Sequence, residues 1–155
     1  MTGAFITGLH ALQHAEAYVG VREQPPGSNR GGLIDQWNAG AGVPAGSEWC
    51  MSFAHAMFRL AGVTLGGWAS VGNFELWANQ HGYLIRRPYR GDIGCLDWNA
   101  DNWPDHAVIV ERVLGLRWFG GRFVGWIRYI AGNDGDAVSR RVIRVMSTAR
   151  FARIP

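Results

Sequence analysis

The sequence predicts an α+β fold in which N-terminal helices pack on an antiparallel β-sheet, and three observations support this. Apolar residues recur at helical spacing in the first half of the chain. After residue 82 the pattern changes to the alternation of apolar and polar residues that is typical of strands. The 155 residues, 48% of them hydrophobic, fit one domain over residues 1–155 with its own core. Helices that precede strands, instead of alternating with them, favour an antiparallel sheet covered by the early helices.

Four helices are predicted before the strands. The first carries Phe5, Leu9, Leu12 and Ala15 at helical spacing and is followed by Gly20. A loop rich in Pro, Gly and Ser separates it from a short helical segment. The third helix is strongly apolar, and Gly62 suits its C′ position. The predicted ranges are 4–18, 33–37, 50–61 and 71–80, the last of which ends before His81 and Gly82.

Four strands are predicted in the second half, over residues 92–98, 106–113, 123–130 and 138–145. No internal repeat, linker or low-complexity tract interrupts the sequence. These strands supply the predicted sheet.

Composition excludes several classes of function. The net charge is only +3, and the arginines are scattered, so we expect no nucleic-acid partner. No stretch approaches the roughly 20 apolar residues of a membrane span, and we expect no membrane insertion. The two cysteines are too few for a zinc quartet or a disulfide framework, and we expect no cofactor. Only Glu23 and Asp35 supply carboxylates around the loop after the first helix, and we expect no required metal.

Cys50 is the strongest candidate for chemistry. It stands at the predicted first turn of the third helix, in Trp49-Cys50-Met51-Ser52-Phe53. A helix N-terminus carries about half a positive charge and free N–H groups, so we expect a lowered thiol pKa there. A bridge to Cys95 would disable this nucleophile, and we expect Cys95 to be a buried free thiol.

A cysteine nucleophile needs a base, and five histidines compete for that role. His10 and His14 share one helix face without a third metal ligand nearby. His55 lies about 140° around the helix from Cys50, and His81 suits a helix C-terminus, where it meets free carbonyl groups. His106 instead opens an alternating strand after a loop, which allows it to meet a helix N-terminus. Alone, it is equally well explained as an ordinary strand-end residue.

These residues resemble the CHAP domains, cysteine- and histidine-dependent amidohydrolases and peptidases among the papain-like peptidoglycan hydrolases. The resemblance spans nearly the whole chain, and the order and spacing of its segments are more specific than any one segment. The segments are Val19-Gly20-Val21-Arg22-Glu23, Gly27-Ser28-Asn29-Arg30-Gly31, Trp49-Cys50-Met51-Ser52-Phe53, Gly91-Asp92-Ile93, Asp105-His106-Ala107-Val108-Ile109-Val110 and Ala131-Gly132-Asn133.

The resemblance implies a papain-like fold with Cys50 as nucleophile and His106 as general base. It implies hydrolysis of a peptidoglycan amide, in the stem peptide or cross-bridge or between sugar and peptide, through an acyl-enzyme. Such domains occur in phage lysins and in bacterial wall hydrolases. We therefore expect a monomer without a Sec signal that is cytoplasmic before a holin or a virion brings it to the wall.

The third catalytic position departs from the family pattern. Many members carry Glu-Gly-Asn where this sequence has Ala131-Gly132-Asn133. By analogy with papain-like sites, Asn133 is the candidate that orients His106, and Asp105 and Asp134 are neighbouring alternatives. The segment from Asn133 to Asp136 also has the composition of a plain hairpin turn.

The remaining candidates surround the predicted site. The backbone N–H of Cys50 is the candidate oxyanion donor. Substrate-binding candidates are Trp49, Trp98, Trp103 and Asp105, although each Trp is equally well explained by packing.

Two alternatives to hydrolysis stay open. One is a non-catalytic module, associated with the wall or with a phage tail, that has lost turnover. The other is an acyl transferase in which an amine replaces water.

Overall fold

The computed structural model describes residues 3–155, and its order of elements confirms the predicted α+β class. The side chain of Phe5 lies outside the described part of the chain. Four helices come first and six strands follow: α1 (Gly3–Ala17), α2 (Gly32–Gly40), α3 (Cys50–Leu60), α4 (Val71–Gln80), β1 (Leu84–Ile85), β2 (Ile93–Leu96), β3 (His106–Phe119), β4 (Arg122–Ala131), β5 (Ser139–Arg144) and β6 (Arg150–Ala152).

Local chemistry explains where the helices begin and end. Helix α3 begins at Cys50, as predicted, with Trp49 at the N-cap and no side-chain cap on its first N–H groups. It ends before Gly62, which adopts a positive φ of 87°. The N–H of Val63 then donates a hydrogen bond to the carbonyl of Phe58. Helix α4 matches its predicted range, and Ser70 caps it by accepting a hydrogen bond from the N–H of Asn73.

All strand pairs of the sheet are antiparallel, and the strand order is β1-β6-β2-β3-β4-β5. Short strands β1 and β6 were not predicted, because two and three residues cannot display an alternating pattern. Strand β6, near the end of the chain, lies between β1 and β2. The last strand is therefore interior to the sheet and joins β1 to β2.

Strand β3 is longer than predicted. The predicted strand ended at Val113, but β3 continues to Phe119 with irregular register near Gly115, whose φ is positive. A bulge of this kind bends a strand without ending it. Gly120 and Gly121, both with positive φ, then form the two-residue turn into β4. Strands β3 and β4 therefore form a long hairpin whose far half projects beyond the helices.

The main core lies between the helices and one face of the sheet. Side chains of α1 and α3 pack there against alternate residues of the central strands, such as Cys95, Ala107 and Ile109. Gly132 follows β4 and lies against α3: a Cβ atom built on it would come 2.6 Å from Cβ of Phe53. This close approach holds the start of α3 beside the start of β3 and the end of β4.

Candidate functional site

Cys50 occupies the first position of α3, and its thiol is surrounded by backbone N–H groups. The side chain of the residue is almost enclosed, with 7% of the residue exposed. The N–H groups of Ala107, Met51 and Cys50 itself each favour the thiolate. The influence of the Ala107 N–H places Sγ near the start of β3.

Burial nevertheless raises the pKa of the Cys50 thiol, and this outweighs the N–H groups that lower it. The carboxylate of Glu48 raises it further. The prediction of a lowered pKa is therefore wrong, although the predicted place at the helix N-terminus is confirmed. In this enclosed site the thiolate loses more hydration free energy than the N–H groups at the first turn of the helix supply as stabilisation.

His106 is the first residue of β3 and lies opposite Leu96 of β2. The residue is 9% exposed, and its ring centroid is 6.2 Å from that of Trp98. Burial lowers the pKa of His106; the nearby Asp134 and Asp105 raise it and Arg141 lowers it. The ring is therefore held in the neutral form that a general base requires.

Cys50 and His106 lie at the same end of β3, but no hydrogen bond joins their side chains within residues 3–155. Ala107 packs in the core cluster that contains Cys50, and side chains alternate along a strand. The His106 ring therefore leaves β3 on the other side, next to Trp98. The structure brings the two residues to one locality as a neutral thiol and a neutral imidazole.

Asn133 follows the end of β4, in a left-handed conformation with φ of 52°. Ile109 pairs with Ile130, and continuing this register brings His106 opposite Asn133. Within the described residues the Asn133 side chain makes no hydrogen bond to His106. Its backbone geometry agrees with the turn that the composition also predicts.

Asp134 is the better placed carboxylate. Its charge is the first of those that act on His106, and it raises the pKa of that ring. The hydroxyl of Tyr129 donates to its Oδ2 at 2.9 Å, and Nε of Arg141 lies 2.8 Å from its Oδ1. Asp134 is therefore held in position by two partners and acts on the ring through its charge, since within the described residues it makes no hydrogen bond to His106.

A cleft of about 420 Å³ opens at Cys50. Its lining comes from the starts of α3 and α4 and from the loop before β3, and comprises Glu48, Cys50, Ala69, Ser70, Val71, Trp103, Pro104 and Asp105. Of the predicted substrate-binding residues, Trp103 and Asp105 lie here. The indole of Trp103 covers Gly72 at the start of α4, where a Cβ atom would clash with it.

Two predicted tryptophans lie elsewhere. Trp98 is exposed and stands beside His106, outside the cleft lining. Trp49 has no exposed surface, and its Nε1 donates to Oε1 of Glu23 at 2.9 Å. A side chain without exposure cannot form the wall of a groove, so that prediction is wrong for Trp49. Its role is to pack the residue before Cys50 into the core.

Several residues of the site were not predicted. Glu23 is buried and fixes Trp49, while Glu48 and Ser70 line the cleft. Buried Asp97 accepts hydrogen bonds from the N–H groups of Asp101 and Asn102 and so shapes the loop before His106. Glu48 had one sequence signal, its position two residues before the nucleophile. The roles of Glu23 and Asp97 depend on contacts between distant segments.

The other sulfur and imidazole groups have structural surroundings. Cys95 is a free, fully buried thiol, as predicted, and burial raises its pKa. Nε2 of buried His55 donates to the carbonyl of Trp68 at 2.6 Å, and Nδ1 of His81 donates to that of Trp77 at 2.8 Å. The predicted contact of His81 with the end of its helix is thus confirmed.

Within residues 3–155, no group of three or more His, Cys, Asp or Glu side chains is placed to hold a metal ion. Among the described helices, none has both the length and the apolar character needed to cross a membrane.

The fold and the site define an α+β protein with a buried thiol at a helix start and an imidazole at the neighbouring strand start. Comparison with family models, with curated proteins and with solved structures finds no match to this chain.

Proposed function

We propose that this protein is a cysteine hydrolase that cleaves amide bonds of peptidoglycan. The observation that carries the proposal is the position of Cys50: it opens α3 at the edge of a 420 Å³ cleft, with Sγ against the backbone of the residue that follows His106. The volume lies within the range of about 300–1,000 Å³ that is usual for ligand sites. The resemblance to CHAP domains supplies the substrate class.

The resting site holds a neutral pair, since burial raises the thiol pKa and lowers the imidazole pKa. His106 takes the thiol proton as Sγ attacks the amide carbonyl carbon. The N–H groups that surround Sγ, that of Cys50 among them, stabilise the negative charge on the carbonyl oxygen. His106 then gives the proton to the leaving amine, and water releases the acyl group from Cys50.

The mechanism requires the imidazole to reach Sγ. Within the described residues no hydrogen bond joins the two side chains, and the ring leaves β3 on the side away from the core cluster that contains Cys50, so the proposal requires the His106 side chain to change conformation when substrate binds. Catalytic hydrogen bonds commonly tighten only when substrate binds. Asp134, fixed by Tyr129 and Arg141, is the group we assign to hold the protonated ring.

Purified cell walls test the proposal. We expect wild-type protein to reduce their turbidity and to release amines, and we expect Cys50→Ala and His106→Gln to abolish both signals. Cys95→Ala, which removes the other buried thiol, is the matched control and should keep activity. Equal amine release by wild type and Cys50→Ala would overturn the enzyme proposal.

The same experiment identifies which amide bond is cleaved and whether water or an amine accepts the acyl group. Mass spectrometry of the products separates cleavage within the peptide from cleavage between sugar and peptide. Products that incorporate an added amine would indicate acyl transfer. The raised thiol pKa favours one competing proposal, a non-catalytic wall- or tail-associated module. That alternative requires no turnover by the wild type and slow alkylation of Cys50.

A further inference from the structure

A second concave surface lies on the far half of the β3–β4 hairpin, away from Cys50. Three cavities of about 420, 340 and 340 Å³ share lining residues there and lead from one face of the hairpin to the other, because Phe123 of the first and Val124 of the third point to opposite faces of β4. Arg122 lines the first and second cavities, and Arg144 lines the second and third. We call these three adjoining cavities together the arginine groove. Its basic lining consists of Arg86, Arg117, Arg122, Arg144 and Arg150.

The arginines of this groove differ from most others in the chain, which has no lysine. Elsewhere, carboxylates pair with Arg30, Arg90, Arg128, Arg140, Arg141 and Arg153. Among the described residues none of the five groove arginines forms an ion pair with a carboxylate, although the charge of Arg150 acts on Glu75, and no Asp or Glu lines the three cavities. The other four guanidinium groups lie along these cavities without a neighbouring counter-charge, and such an arrangement favours a ligand with repeated negative charge.

The aromatic side chains of the groove narrow the ligand class. Trp118 and Trp126 are 52% and 50% exposed and line its first and third cavities. Phe123, on the same face as Trp118, is partly covered: Trp118 meets it edge to face at 5.0 Å, and the guanidinium of Arg87 lies 5.7 Å from its ring centre. Single-stranded nucleic acids need a series of free stacking surfaces, one for each successive base. Here the repeated feature is positive charge, which suits a polymer recognised through its phosphates.

We propose that the arginine groove binds a linear polyol-phosphate polymer of the bacterial wall and thereby holds the enzyme on its substrate. The phosphate oxygens accept paired hydrogen bonds from the planar guanidinium groups. The assignment of the polymer to the wall rests on the proposed function; the phosphate chemistry rests on the groove alone. Binding at this surface involves neither Cys50 nor the cleft.

Binding is measured with purified poly(glycerol phosphate) and the Cys50→Ala protein, so that turnover plays no part. We expect Arg122→Gln/Arg144→Gln to weaken binding about tenfold or more and to reduce its salt dependence, because each lost phosphate contact flattens the salt slope. The matched control is Arg22→Gln/Arg112→Gln, which removes the same charge from exposed arginines outside the groove lining. It should retain near-wild-type binding.

Each remaining outcome is decisive. Equal weakening of binding by the two double variants would show that only the net charge matters, and it would overturn the proposal that the polymer binds at the groove. Tighter binding of a single-stranded oligonucleotide of equal charge would overturn the assigned ligand. Circular dichroism and thermal unfolding confirm that both variants are folded. If the wild-type protein does not cleave walls, but only the groove variant shows weaker polymer binding, the proposed hydrolase function is wrong and the proposed polymer binding at the groove is supported.

Discussion

Nε1 of Trp49 donates a 2.9 Å hydrogen bond to Oε1 of Glu23, and both residues are buried. The other carboxylate oxygen of Glu23 accepts the N–H of Asn29 at 2.9 Å. Glu23 therefore connects the loop after α1 to the residue immediately before Cys50. The position of the candidate nucleophile depends on this contact as well as on α3.

Glu23→Ala should lower the free energy of unfolding by about 1–3 kcal/mol, because it leaves the buried indole N–H of Trp49 without a partner. Urea unfolding monitored by Trp fluorescence measures the change. Glu16→Ala is the control: its partner Arg90 is largely exposed, so the cost should stay below about 1 kcal/mol. Equal costs for the two variants would contradict a structural role for Glu23.

Alkylation of Cys50 should accelerate with rising pH and reach its midpoint above that of an ordinary thiol, whose pKa is about 8.5, because burial raises the thiol pKa. Iodoacetamide rates measured in Cys95→Ala, which keeps one thiol, give the midpoint. Glu48→Gln should lower it by removing a neighbouring negative charge, whereas Glu16→Gln should leave it unchanged. A wild-type midpoint below neutral pH would show a preformed thiolate and contradict the neutral pair.

Asp134 and Arg141 should move the pKa of His106 in opposite directions. Asp134→Asn removes a charge that favours the imidazolium and should lower the pKa; Arg141→Gln should raise it. Since the base must be neutral, the acid limb of the rate profile should shift to lower pH in the first variant and to higher pH in the second.

Proton NMR of the His106 ring tests these shifts without requiring turnover. Asn133→Ala serves as the comparison, because Asn133 is uncharged and does not act on the pKa of this ring. A shift confined to Asn133→Ala would restore Asn133 as the orienting residue and exclude Asp134.

Sequence patterns predicted the parts of this molecule that depend on local periodicity. The start of α3 at Cys50, the bounds of α4 and the start of β3 at His106 all follow from apolar spacing and turn residues. Strands β1 and β6 are too short for such a signal, and the continuation of β3 depends on a bulge at Gly115 that reads locally as a strand end.

The site could be predicted only in part. Residue types and order indicated Cys50 and His106 as candidates. The pKa of Cys50, however, depends on how deeply the helix start is buried, and the burial of Trp49 depends on Glu23, 26 residues away in sequence. Such contacts between distant segments leave no periodic trace. The sequence offered Asn133, Asp105 and Asp134 as groups that orient His106, and their order of influence on the ring depends on how the turn after β4 folds.

Gly132→Ala should reduce both stability and the proposed activity. A Cβ atom there would come 2.6 Å from Cβ of Phe53 and 2.8 Å from the ring of Trp49, so α3 and the end of β4 must separate. Overpacking of this kind costs about 1–3 kcal/mol. Because Trp49 precedes Cys50 and Gly132 precedes Asn133, the same displacement should lower kcat.

The matched control is Gly32→Ala at the start of α2, where an added Cβ meets no atom within 4 Å. That variant should be neutral or more stable by about 0.4–1 kcal/mol, because alanine restricts the unfolded chain more than glycine does. Thermal unfolding and amine release measured on both variants separate the two effects. Full stability together with lost activity in Gly132→Ala would mean that the contact positions the site without supporting the fold, whereas full retention of both would contradict the close packing of α3 on β4.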